Sequence, residues 1–150
     1  MTQTIAPKTT LYDRDLNLWL GDAIAKLKAG DFHNLDVENL IEELEGLAGR
    51  DRREVSNRLK RLIEHILKRC YVDMPECYRG WEVTIINQRD ELEDIFIQSP
   101  SLKQVFSQSF DDAFKKALRL VKTEYREVAF PDTWQFGRDI DTMLNVDFWE

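Results

Sequence analysis

The stretch Asp36-Val37-Glu38-Asn39-Leu40-Ile41-Glu42-Glu43-Leu44-Glu45-Gly46, a basic run, and then Arg61-Leu62-Ile63-Glu64-His65-Ile66-Leu67-Lys68-Arg69-Cys70-Tyr71 decides the fold. Apolar residues recur at Val37, Leu40, Ile41, Leu44, Leu47 and Ala48, and again at Val55, Leu59, Leu62, Ile63, Ile66, Leu67 and Cys70. Steps of three and four place both sets on helical stripes. The first half is acidic and the second basic. Between Gly46 and Glu54 the pattern lapses, and each glycine weakens a helix. Asp51 and Glu54 stand at capping-box spacing. The expectation is a long central helix, kinked or broken near Gly49.

Working outward, helix one is expected over Asp13–Ala29, capped by Asp13 and ended by Gly30, with Leu16, Trp19, Leu20, Ala23, Ile24 and Leu27 on its stripe. Asp36 caps the central helix, and Glu38 suits its positive end. Val72–Cys77 holds Pro75 and reads as a loop. A further helix spans Gly80–Gln98, with Trp81, Ile85, Leu92, Ile95 and Phe96 on one face, and Ser99-Pro100-Ser101 stops it. Leu102–Phe106 makes a short turn. Ser109 caps a last long helix carrying Phe110, Ala113, Phe114, Ala117, Val121, Tyr125 and Val128, ended by Phe130-Pro131. The tail holds Trp134, Phe136, Ile140, Met143, Phe148 and Trp149, apolar enough to pack back on the body. No segment alternates with period two. The fold is all-α: residues 1–10 are a flexible tail, and 11–150 form a single-domain bundle of five or six helices.

The totals agree. The 150 residues suffice for one core. With 43% hydrophobic and 33% charged residues the chain is globular rather than disordered. A formal charge of −7 argues against nucleic-acid or lipid binding by the surface as a whole. The N-terminal segment lacks the apolar core of a signal peptide, and no run approaches bilayer length. A cytoplasmic location is expected, with no membrane partner and with Cys70 and Cys77 as free thiols.

Several groups of residues in this chain form a familiar pattern. These are Tyr12-Asp13, Asp15 and Trp19; Leu35-Asp36 with Glu38-Asn39-Leu40-Ile41-Glu42-Glu43-Leu44-Glu45; and Arg58-Leu59, Leu62-Ile63 and His65-Ile66-Leu67-Lys68. They are followed by Trp81, Thr84-Ile85 and Gln88-Arg89, by Ser99-Pro100-Ser101-Leu102, and by the closing Asp147-Phe148-Trp149. Together they resemble the bacterial family called domain of unknown function 29, common in cyanobacteria and proteobacteria, over nearly the whole chain from Leu11. The resemblance implies a small all-helical cytoplasmic protein and implies no activity, so it carries no catalytic residues. The chain departs from the family at Arg69-Cys70-Tyr71, where a Trp-x-Tyr is usual, and at Tyr125-Arg126-Glu127-Val128.

Two constellations stand out. Arg50, Arg52, Arg53, Arg58, Lys60, Arg61, Lys68 and Arg69 form a basic patch, with Arg58, Arg61, His65 and Lys68 in one line. Arg58, Arg61 and Lys68 are the candidates for binding phosphates or an acidic partner. The alternative is a solvated flank paired with the chain's own Glu42, Glu43 and Glu45. Second, Gln88 and Arg89 interrupt the stripe between Ile85 and Leu92. A core-facing Arg89 needs a carboxylate to offset its desolvation. Glu42 or Glu45 is the expected source, in a polar cluster of Glu42, Glu45, His65 and Arg89 capped by Trp81. Such a cluster fixes helix register or forms a site with shifted pKa values.

Catalytic signatures are missing: no phosphate loop, nucleophile elbow or His-Glu-x-x-His. Leu62 stands where a Glu-x-x-His metal pair would need Glu, and His33, His65, Cys70 and Cys77 match no zinc spacing. No cofactor and no metal are expected. The leading reading is a non-enzymatic protein-interaction module, pairing with its own copy as a homodimer or with another protein. The second is a nucleic-acid or phosphate-ligand binder through the basic helix 50–69. The third is an enzyme or metal-dependent hydrolase built on the Glu/His/Arg cluster.

Overall fold

The computed structural model describes residues 10–150, so all of the expected tail but Thr10 lies outside the described residues. The described residues form six α-helices and no strand. These are α1 (Leu11–Arg14), α2 (Leu16–Ala29), α3 (Val37–Tyr71), α4 (Pro75–Gln98), α5 (Lys103–Glu124) and α6 (Ile140–Asn145), with a 3-10 turn at Pro100–Leu102. The fold is all-α. The chain groups into two compact units, Met1–Gly49 and Arg50–Glu150.

In the first unit the expected helix one is two. Thr10 caps α1 by accepting from the Asp13 N–H, and Asp15 breaks the run and caps α2 by accepting from the Leu18 N–H at 3.1 Å. Capping at Asp15 supersedes capping at Asp13. Gly30 ends α2 at φ +71°, the left-handed conformation that favours glycine. Asp36 receives the Asn39 amide groups and the Trp19 Nε1–H, the latter at 3.2 Å, so one carboxylate starts α3 and ties it to α2. The Tyr12 hydroxyl donates to Glu43 at 2.5 Å, and its ring meets Trp19 edge-on at 4.8 Å.

α3 is helical across the expected break. Glu54 does not close a capping box; it binds Arg58 Nε at 2.9 Å, one turn on. Two glycines in a helix cost about 1 kcal/mol each, and the apolar rows before and after them share one phase, so the helix carries through. A Cβ at Gly46 would meet nothing within 4 Å.

The second unit holds the core. Val55, Leu59, Leu62, Ile63, Ile66 and Leu67 of α3 pack with Trp81, Ile85, Leu92 and Phe96 of α4 and with Phe106, Phe110, Ala113, Ala117 and Val121 of α5. α4 begins at Pro75 rather than at Gly80, because proline is tolerated where the N–H has no helical acceptor. α5 runs through Ser109 instead of starting there. Its buried row continues through that point from Phe106 to Phe110, and the Ser109 hydroxyl lies 2.9 Å from that of Ser56. α5 stops at Glu124, short of the expected Val128.

The apolar tail packs back as expected and adds the short helix α6. Met143 is fully buried. Trp134 takes Phe110, Phe114, Phe136 and Phe148 edge-on, and Phe136 and Phe148 stack at 4.6 Å. Arg69 has the Tyr78 ring 3.8 Å and the Trp149 ring 5.3 Å from its guanidinium carbon.

Candidate functional site

Arg89 is buried, as its place on the α4 stripe requires, but its partners come from the C-terminal segment. Nη1 donates to Asp147 at 2.8 Å, Nε to the Met143 carbonyl at 2.9 Å, and Nη2 to the Val146 carbonyl. The carboxylate assigned to Glu42 or Glu45 is thus Asp147. The arginine closes the last turn of α6, whose end carbonyls lack helical donors, and a charged donor suits that end. Trp81 is buried and packs edge-on against Tyr125 at 6.3 Å. His65 places Nδ1 2.8 Å from the Arg61 carbonyl, and burial holds its pKa below the usual histidine value. Glu42 and Glu45 are exposed.

The basic patch divides by environment. Lys68 is buried and answered by Glu64 at 3.3 Å and Glu124 at 3.2 Å, so it is structural. Arg58 is held by Glu54, Gln88 and Glu91. Arg50, Arg53 and Arg61 have no carboxylate within ion-pair range among the described residues. With Glu54, Asn57, Arg58 and Gln88 they line an open hollow of about 590 Å³. The helix repeat puts residues 50, 53, 57 and 61 on one face, a grouping that the line Arg58, Arg61, His65 and Lys68 passes over.

The most unusual surface is in the first unit. On α3, Val37, Ile41, Leu44 and Leu47 are each 49% to 56% exposed. On α2, Leu16, Leu20, Ile24 and Leu27 are also exposed, and Phe32 lies open in the connection. Only Trp19 and Ala23 are buried in α2. Trp19 of α2 meets Asp36 and Tyr12 of α1 meets Glu43, two ties that hold this unit together while the rows of α2 and α3 stay open. Both rows were expected as core stripes, and periodicity alone does not tell a covered stripe from an uncovered one.

Cys70 and Cys77 are free and half-buried, and burial pushes the Cys70 thiol up to about 11, which keeps it protonated and unreactive. Among the described residues no three His, Cys, Asp or Glu side chains gather as a metal site, and no helix is long and apolar enough to cross a membrane.

The described residues define an all-helical protein with an exposed apolar row in its first unit and an arginine-lined hollow in its second. The chain belongs to the family described as Domain of unknown function DUF29, whose family model matches residues 11–149. No curated protein and no solved structure matches it.

Proposed function

We propose that this chain is a protein-binding module whose docking face is the apolar side of the Leu11–Gly49 unit. One observation supports the reading: ten large apolar side chains on and between α2 and α3, Leu18 included, lie roughly half open to solvent. Large exposed apolar patches on a folded chain mark interaction sites. The proposed setting is the cytoplasm, where Cys70 and Cys77 stay reduced.

The test places the photo-crosslinker benzoylphenylalanine at position 44 or at position 86, since Ile86 is an equally exposed apolar residue outside the unit. A discrete cross-linked polypeptide from position 44 and none from 86 is the expected result. No product from 44 in the cell removes the reading.

A second reading has its own observation. The unpaired Arg50, Arg53 and Arg61, beside the amides of Asn57 and Gln88, form a cradle for a phosphate-bearing ligand, nucleic acid included. Lys68 takes no part in it. A labelled oligonucleotide should bind at about 50 mM salt, weaken steeply as salt rises, and release from a folded Arg53→Glu/Arg61→Glu chain. Failure to bind at low salt ends this reading.

A further inference from the structure

We propose that the occupant of the apolar face is a second copy of this chain, with α2 of each copy laid along the exposed α3 row of its partner about a two-fold axis. The proposal rests on the reading of that face as a protein-docking surface and names what docks there.

Four observations lead to it. First, each chain leaves two unlike apolar rows open: Leu20, Ile24 and Leu27 on α2, and Ile41, Leu44 and Leu47 on α3. A two-fold axis joins two unlike patches twice, because residue i meets j and j meets i. Each row is therefore covered in one operation, with none left to propagate a chain.

Second, the spacing suits helix-on-helix packing. The exposed Leu16, Leu20, Ile24 and Leu27 step by four, four and three, and Val37, Ile41, Leu44 and Leu47 by four, three and three. Steps of three and four keep each row on one helix face, as the packing of a four-helix bundle requires. Two α2 and two α3 segments make four.

Third, the charges beside the two rows are complementary. The α2 row carries Lys26, paired with Asp22 at 2.8 Å, and Lys28, which has no carboxylate within ion-pair range among the described residues. The α3 row is flanked by Glu42 and Glu45, which likewise hold no cation there. Between copies these signs match.

Fourth, the unit has little core of its own. The unit itself buries only Trp19 and Ala23 in α2, too little to hold two helices without a partner. A surface that needs cover whenever the chain is folded is met most directly by a partner always present in equal amount.

The test is sedimentation equilibrium on the full chain, whose mass is 17.7 kDa. Twice that mass at about 10 μM is expected for the unaltered chain, with at least tenfold weaker association in Leu27→Glu and in Leu44→Glu, each still helical by circular dichroism. Ile86→Glu should leave the dimer intact. A dimer that survives both row substitutions, or a chain monomeric up to about 100 μM, overturns the proposal. In the monomeric case benzoylphenylalanine at position 44 separates the two claims: a cross-link to a different polypeptide keeps the docking face and discards the second copy, and no cross-link discards both. If either variant loses its helix, the same probe in the otherwise unaltered chain decides. A product of doubled mass supports the second copy, and any other product overturns it.

Discussion

The two halves of α3 carry the same kind of apolar row and meet opposite fates. Val55, Leu59, Leu62 and Ile66 are 0% exposed, whereas Val37, Ile41, Leu44 and Leu47 are about half open. Neither hydrophobicity nor periodicity differs between them. What differs is the neighbourhood. The second half is covered by α4 and α5, each at least twenty residues long and each with a matching row. The first half has only α1, of four residues, and α2, of fourteen, tied to it by the hydrogen bonds from Tyr12 to Glu43 and from Trp19 to Asp36. A helical stripe is thus a demand for cover, and which atoms meet the demand is set elsewhere in the chain.

The sharpest way to break this comparison is to truncate one leucine in each half. Leu62→Ala opens a cavity in a filled core and should lower stability by about 3 kcal/mol in urea denaturation. Leu44→Ala, in protein dilute enough to be monomeric, should cost under about 1 kcal/mol because little buried surface is lost. Equal effects would mean the first half is covered after all.

Next in size is Arg89→Met. It leaves Asp147 and the Met143 and Val146 carbonyls without their charged donor. A loss of about 2 kcal/mol is expected, with the C-terminal segment released first. Proteolysis should cut near residues 138–147 in the variant and not in the parent. An unchanged melting temperature would show that the arginine closes nothing.

The smallest expected effect is the pH response of His65. Burial lowers its folded pKa, so the unfolded chain takes the proton first. The histidine's contribution is full above its unfolded value of about 6.5 and is lost as pH falls from there towards the folded value. Stability should therefore decline from pH 7 to pH 5.5 more steeply in the parent than in His65→Gln. Parallel curves would place the imidazole in water.

Much of this was legible in the residues. The spacing in Asp36–Tyr71 announced the long helix, and the bulk in Trp134–Trp149 announced a docked tail. Arg89 was identified as a buried cation because only a core position continues its stripe. Its partner was not identified, since a carboxylate at Asp147 is 58 residues away in the chain and no local pattern connects the two. The arginines of the hollow were visible as a patch. Their division into structural Lys68, braced Arg58 and unpaired Arg50, Arg53 and Arg61 depends on where Glu54, Glu64, Glu91 and Glu124 fall.

The sequence by itself determined the all-helical class, the phase of each apolar row and the surplus of acid, because these follow from local backbone geometry and composition. Only the tertiary structure decided that one row of α3 is core and the other is surface, and that Asp147 rather than Glu42 or Glu45 answers Arg89. Both depend on which distant segments come to lie together, and pairings of that kind are settled by the packing of whole surfaces rather than by the order of neighbouring residues.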